Sequence, residues 1–277
     1  MPKRKRRMQD FEYRRVRAAA EASALLRDDP SAKLLAGGQS LLASMRMGLL
    51  ATDLLIDLQD VQELRHVENA ADGSVVLGAM MTHGALASHP ELRSFASGLT
   101  ELAGGIADAQ VRSMGTIGGS LANADPSACW SAGVLALGGE IQTSERAIPV
   151  DAYFMGMFAT ALEPDEVLTR VRLRRPRRFC YLKHEQAASR FAMVGVAVAD
   201  FGDAIRVAVN GTVDGAVRAP AFEQALQRRF DPESLREVRF DEGLMTADIH
   251  AGADYRAHMA GVLCRRAVGR MLGGAPR

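Results

Sequence analysis

The sequence predicts a mixed fold, α/β shading into α+β, and three observations carry that prediction. Apolar runs of strand length are interleaved with helical patterns along the 277 residues, with no sustained internal repeat. Two glycine-rich segments, Ala36-Gly37-Gly38-Gln39-Ser40 and Thr116-Ile117-Gly118-Gly119-Ser120, each stand where an apolar run ends. A basic, proline-containing run, Arg174-Arg175-Pro176-Arg177-Arg178, then separates this long first part from a hairpin followed by helices.

Taken in order, Ala18 to Arg27 is rich in Ala, Glu and Leu and reads as a helix stopped at Asp28-Asp29-Pro30. Lys33 to Ala36 is a short strand leading into the first glycine segment, and Leu41 to Leu50 keeps a helical apolar spacing. Leu54 to Leu58 is a buried strand, followed by a turn or short helix from Gln59 to Leu64. Ser74 to Gly78 is another strand, and Thr82 suits the N-cap of a helix through Ala87. Leu99 to Asp108 is expected as a closely packed helix of small residues. The second glycine segment is expected as a loop. Asp125-Pro126-Ser127 should open a helix through Leu137, with proline at its first position. Ile141 to Thr143 and Arg146 to Val150 read as strands near an edge, and Val167 to Leu173 as an alternating strand. Beyond the basic run come Tyr181-Leu182-Lys183 and a polar loop through Arg190. A hairpin of Ala192 to Asp200 and Ile205 to Val209 turns at Gly202-Asp203, and helices at Ala221 to Arg229 and Tyr255 to Leu272 complete the pattern.

Composition narrows the function. Charged residues are 24% of the chain and the formal net charge is +1, which gives no reason to expect nucleic acid or an anionic membrane as the main partner. Apolar stretches are too short to span a bilayer, and the basic start runs into Phe11-Glu12-Tyr13 without an apolar signal region, so a cytoplasmic location is expected. Cys129, Cys180 and Cys264 are widely spread, arguing against a disulfide framework, a zinc site or an iron–sulfur cluster held by this chain alone. The histidines lack ligand spacing, so no metal site is expected. Residues 1–7, Met1-Pro2-Lys3-Arg4-Lys5-Arg6-Arg7, read as a disordered basic tail in preference to a localisation signal, with Met8 as an alternative start.

There is no G-x-G-x-x-G that follows a strand and opens a helix, and no Walker A lysine motif, which argues against a Rossmann site. Adjacent glycines can instead turn successive backbone N–H groups toward one point and admit a ligand closely. Two such segments suggest jaws around a phosphate-bearing molecule, with Ser40, Thr116 and Ser120 hydroxyls as added donors. Read alone, both are equally well tight strand–helix turns.

The order and flanks of these segments carry a resemblance. Ala36-Gly37-Gly38-Gln39-Ser40-Leu41-Leu42, Met45-Arg46 and Leu55-Ile56-Asp57-Leu58 are followed by Gly78-Ala79-Met80-Met81-Thr82-His83 and Ile106-Ala107-Asp108-Ala109-Gln110-Val111-Arg112. Then comes Gly115-Thr116-Ile117-Gly118-Gly119-Ser120-Leu121-Ala122-Asn123-Ala124-Asp125-Pro126, and later Tyr181-Leu182-Lys183, Val194-Gly195-Val196-Ala197, Tyr255-Arg256 and Arg265-Arg266-Ala267. Over nearly its whole length the chain resembles the FAD-binding medium subunit of molybdenum hydroxylases, the carbon monoxide dehydrogenase and xanthine dehydrogenase family.

The resemblance implies a two-subdomain FAD-binding fold of the vanillyl-alcohol-oxidase/PCMH type over residues 8–178 and a smaller C-terminal α+β domain over 179–277. It implies an electron-transfer role with noncovalent FAD. A molybdenum cofactor and [2Fe-2S] clusters would sit on large and small partner subunits in a dimer of heterotrimers. FAD would be held by Ala36, Gly37, Gly38, Gln39 and Ser40, by Thr116, Ile117, Gly118, Gly119 and Ser120, and by Asp125. Lys183 would lie near the flavin pyrimidine edge, where a cation stabilises charge developing on reduction; a surface lysine is the plain alternative. Leu168 would pack on the flavin or adenine, although a core leucine looks the same. Phe191 would stand beside the flavin or anchor the hairpin. Asn123 and Cys129 depart from the pattern, standing where relatives carry histidine and an acid; at Cys129 a charge-assisted contact to FAD is lost unless another group supplies it. Two other readings are a stand-alone flavin-binding or assembly protein and a single-chain flavin oxidase, the latter lacking an acid–base constellation.

Overall fold

A computed structural model describes residues 10–273; the basic tail and the alternative start at Met8 lie outside the described residues. The chain opens with β1 (Glu12–Arg15), α1 (Ala19–Asp28), β2 (Lys33–Leu35), α2 (Leu41–Arg46) and β3 (Leu54–Asp57). These strands form a small parallel sheet in the order β1-β3-β2, with Glu12 opposite Leu54 and Lys33 opposite Leu55. All four residues of β1 are exposed, so no apolar alternation announces it in the sequence.

Next come β4 (Val67–Asn69), β5 (Val75–Gly78) and a helical stretch: α3 (His83–Ala87), α4 (Pro90–Phe95), α5 (Ser97–Gly104), α6 (Ala109–Met114), α7 (Ile117–Asn123) and α8 (Cys129–Leu137). The strands β6 (Gly139–Thr143), β7 (Ala147–Pro149), β8 (Phe154–Gly156), β9 (Ala159–Thr160) and β10 (Leu168–Leu173) follow. The second sheet has the order β4-β5-β10-β6-β7, β10 returning to pair antiparallel between β5 and β6. Three sequence expectations are corrected here. The helix expected over residues 99–108 begins at Ser97 and stops at Gly104. The glycine segment at 116–120 is the start of α7 rather than a loop, and Pro126 lies in a turn ahead of α8.

The last sheet is an antiparallel meander of β11 (Arg178–Glu185), β12 (Ala192–Asp200), β13 (Ile205–Thr212) and β14 (Gly215–Arg218), followed by α9 (Pro220–Arg228) and α10 (Ala253–Met271). The side-chain period of two sorts its residues sharply. Ala197, Ala199 and Ala208 join the main core with α8, whereas Val194, Val196, Val198, Val207 and Val209 face the second core with α9 and α10. Small residues on the first face let α8, buried at every position, lie close to the sheet. Arg206 donates to the carbonyls of Leu135 (2.8 Å) and Ala136 (3.2 Å), placing a cation at the negative end of α8. The molecule is thus a mixed α+β structure, and no helix among the described residues is long and apolar enough to cross a membrane.

The basic run is well anchored. Arg174 stacks over Phe201 and Arg178 over Phe230, and Arg178 also pairs with Asp200 at 2.5 Å.

Candidate functional site

β2 delivers the chain into the first glycine segment, which leans on the junction of α6 and α7. A Cβ at Gly37 would run into the Met114 carbonyl oxygen and lie 2.7 Å from Gly115 Cα, so only glycine fits against that backbone. Gly38 has φ +70°, the left-handed conformation that glycine adopts without penalty. The backbone N–H groups of Gly37, Gly38, Gln39 and Ser40 meet no acceptor among the described residues, and the segment is half-buried to exposed. Gln39 folds back to donate from Nε2 to the Gly37 carbonyl at 3.1 Å, and the Ser40 hydroxyl makes no capping bond. Four consecutive backbone donors on one turn are thus left without a partner among the described residues.

The second segment is built differently. Thr116 caps α7, its Oγ1 accepting the Gly119 N–H at 3.1 Å. The N–H groups of Ile117 and Gly118 are already used, donating to the carbonyls of Met81 (3.0 Å) and Ala79 (2.9 Å). Neither Gly118 nor Gly119 has positive φ. Gly118 is required by closeness, because a Cβ there would lie 2.6 Å from Ala79 Cβ. A Cβ at Gly119 would be 3.4 Å from Ala36 Cβ, so the two segments abut. One wall offers free backbone donors; the other is a pinned helix start that adds the half-buried Ser120. The threonine three residues before Gly119 is an N-cap spacing, the signal that identifies this segment as helix.

Behind the α6–α7 junction lies a clasp that sequence reasoning missed. The backbone N–H of His83 donates to the Gly115 carbonyl at 2.9 Å, and Trp130 Nε1 donates to His83 Nδ1 at 3.1 Å. Burial, with the charge of Arg112 adding to it, lowers the His83 pKa to about 4. The ring is therefore neutral with its proton on Nε2, and it stacks its edge against Gly115.

The remaining predicted residues are placed as follows. Asp125 closes a turn after α7 by accepting the Ser127 N–H at 2.8 Å. Cys129, the first residue of α8, is buried, and burial pushes its thiol pKa up. Its hydrogen-bonding neighbour is the Tyr181 hydroxyl, which donates to Asn210 Oδ1 at 3.2 Å. Asn210, absent from the sequence expectations, passes the chain on to the Pro126 carbonyl at 3.4 Å. Cys129 thus belongs to a neutral, buried polar chain. Leu168 opens β10 opposite Thr143 and is part of the main core. Lys183 is largely covered; its ammonium donates to the carbonyls of Gly105 (2.8 Å) and Arg190 (2.5 Å) and pairs with Glu185 at 3.2 Å. Phe191 is 54% exposed on the connection that follows β11. The structure therefore brings Ala36 to Ser40 together with Thr116 to Ser120, and sets Cys129 and Lys183 beside Tyr181.

Comparison with known proteins gives consistent results. Residues 9–176 match the family described as the FAD binding domain in molybdopterin dehydrogenase. The chain is 32% identical over 263 residues to the nicotine 6-hydroxylase medium subunit of Paenarthrobacter nicotinovorans, covering 90% of this chain and 92% of that one. It is 31% identical to the carbon monoxide dehydrogenase medium chain of Hydrogenophaga pseudoflava, covering 93% and 96%. Among solved structures, carbon monoxide dehydrogenase from Hydrogenophaga pseudoflava superposes with a TM-score of 0.87 at 32% identity, over 96% of this chain and 98% of that one. Quinoline 2-oxidoreductase from Pseudomonas putida 86 superposes with a TM-score of 0.85 at 27% identity, over 98% and 100%.

Proposed function

The chain belongs to the family of FAD-binding domains of molybdopterin dehydrogenases, and from that premise we propose that it is the electron-transfer flavoprotein subunit of a molybdenum-containing hydroxylase. Bound FAD supplies the redox chemistry, and the protein supplies binding, orientation and electrostatics. The observation that carries the reading is the row of four free N–H groups from Gly37 to Ser40, set against the α6–α7 junction. Such a row fits the two negative charges of a pyrophosphate.

Around it, each predicted residue has a part. Gly37, Gly38, Gln39 and Ser40 would bind the pyrophosphate through backbone donors and the Ser40 hydroxyl. Ala36 and Gly119 leave room for the dinucleotide by presenting small surfaces, and Ser120 adds a hydroxyl. Thr116, Ile117 and Gly118 act at one remove, holding α7 in place through bonds already made inside the protein. Asp125 shapes the turn below α7. Cys129, Leu168, Lys183 and Phe191 would form the flavin end, Lys183 and Phe191 through the connection they organise. Cys129 brings no charge to this end, so its electrostatics rest on backbone dipoles and on Arg112.

Relatives named as medium subunits imply company. The molybdenum cofactor would reside on a larger partner and the [2Fe-2S] clusters on a smaller one, in a dimer of heterotrimers in the cytoplasm. The fold would be the two-subdomain clamp of the vanillyl-alcohol-oxidase/PCMH type over residues 8–178, with 179–277 as the C-terminal α+β domain. Purification of the native assembly, with flavin, molybdenum and iron measured together, tests this reading. One FAD per chain with both metals present is expected. A chain that binds no FAD on titration and purifies without partner subunits overturns it.

A further inference from the structure

Two connections face each other across Lys183, and each contains a non-glycine residue in the left-handed region. Between α5 and α6, Ala107 has φ +42°; between β11 and β12, Arg190 has φ +58°. Such conformations persist only where neighbours hold them. The first connection is gripped by Arg112, whose Nη1 donates to the carbonyls of Ile106 and Ala107 at 2.8 Å each. The second folds around Gln186, whose Oε1 accepts the N–H groups of Ala188 and Ser189 at 2.7 Å each. Its backbone N–H donates to the Phe191 carbonyl at 2.9 Å. What joins the two connections is Lys183. Its ammonium reaches the Gly105 carbonyl at 2.8 Å on one side and the Arg190 carbonyl at 2.5 Å on the other, with Glu185 at 3.2 Å balancing its charge. Two of the ammonium's three donors are thus committed to backbone carbonyls, and its charge is paired with a carboxylate.

We propose that Lys183 is a positioning residue, a latch that fastens the 186–191 connection to Gly105 and thereby fixes Arg190 and Phe191 where they stand. That these residues stand at the mouth of the flavin site rests on the function proposed above; the latch itself does not. The connection closes on itself through the Arg190 N–H to the Gln186 carbonyl at 2.8 Å, and the charge-assisted bonds of Lys183 to two carbonyls 85 residues apart in sequence (Gly105 and Arg190) are what tie it across to the other connection. Acting through Phe191, the latch sets how freely other molecules reach that end of the site.

The test compares the full chain with its Lys183→Met and Lys183→Arg variants, each with and without FAD. Limited trypsin digestion, with products mapped by mass, reports cleavage of the exposed Arg190–Phe191 bond. Loss of the latch should speed that cleavage about tenfold or more in Lys183→Met, the factor expected for losing a hydrogen bond to a charged group. Lys183→Arg, which keeps the charge and donors, should restore protection. In the FAD-loaded proteins, iodide quenching of flavin fluorescence should rise severalfold in Lys183→Met and return with arginine. Equal trypsin protection in all three proteins overturns the latch, including when flavin affinity changes, which would instead place the ammonium on the cofactor. Faster cleavage with unaltered quenching overturns the positioning role. A chain that never binds FAD overturns the flavin reading alone, because the digestion of the FAD-free protein still decides the latch.

Discussion

Replacing Gly37 by alanine tests the cradle where its construction is tightest. The added methyl would strike the Met114 carbonyl and lie 2.7 Å from Gly115 Cα, both backbone. That backbone has little room to yield: the Gly115 carbonyl accepts from His83 at 2.9 Å, and the Gly115 N–H donates to Val111 at 2.7 Å. Relief must come from the 36–40 segment moving outward, and overpacking of this kind costs about 1–3 kcal/mol. Because the moving segment carries the four free donors, that cost reappears in FAD binding as a loss of roughly 5- to 150-fold. Gly38→Ala is the comparison. It incurs the left-handed penalty of about 1–2 kcal/mol, but its methyl would meet the side-chain ends of Leu42 (2.9 Å) and Leu35 (3.2 Å), which can turn away. Both variants should bind FAD more weakly, Gly37→Ala the more so. Fluorescence titration with FAD, alongside thermal melts to separate binding from folding, gives the order. Wild-type affinity in Gly37→Ala would refute the placement of the pyrophosphate on this segment.

His83 is neutral in the folded protein with a pKa of about 4, below the ordinary imidazole value of about 6.5. As pH falls the unfolded chain takes up the proton first, so stability is full above about pH 6.5 and declines toward pH 4 by up to about 3 kcal/mol. Melting curves across that window should show a shallower decline in His83→Gln, and an unchanged one would remove the clasp from the account. Cys129, Cys180 and Cys264 are all buried, and burial raises each thiol pKa. A maleimide should therefore label none of them in the native chain and all three after denaturation, whereas fast native labelling of Cys129 would show it open to the cleft. Arg206→Met removes two bonds to the end of α8 and the 2.6 Å pair with Asp151. It should cost about 1.5–3 kcal/mol, read as a drop in Tm, while Arg229→Ala at an exposed pair should change stability by less than about 1 kcal/mol.

What was legible in the sequence is whatever a residue type enforces locally. The first glycine segment could be placed because Gly38 must be left-handed and Gly37 must lack a side chain, and both needs arise within a few residues of a strand end. The hairpin of β12 and β13 was legible from its alternation of alanine and valine. The second glycine segment misled because paired glycines lower helix propensity. Here the helix forms because Thr116 caps it and because Gly118 must lie on Ala79, a contact that exists only in the folded chain. The polar groups around the proposed flavin end are subtler still. Trp130 meets His83 across 47 residues, Tyr181 meets Asn210 across 29, and Lys183 meets Gly105 across 78. None of these pairs leaves a spacing that a linear reading can detect, since each is joined by a sheet register or a helix crossing. Lys183 shows the consequence. The family resemblance implied a cation near the flavin, and in the fold its ammonium donates to two carbonyls and pairs with a carboxylate. A motif can therefore say that a charge stands near a cofactor, but only the folded chain shows whether that charge is free to act on it.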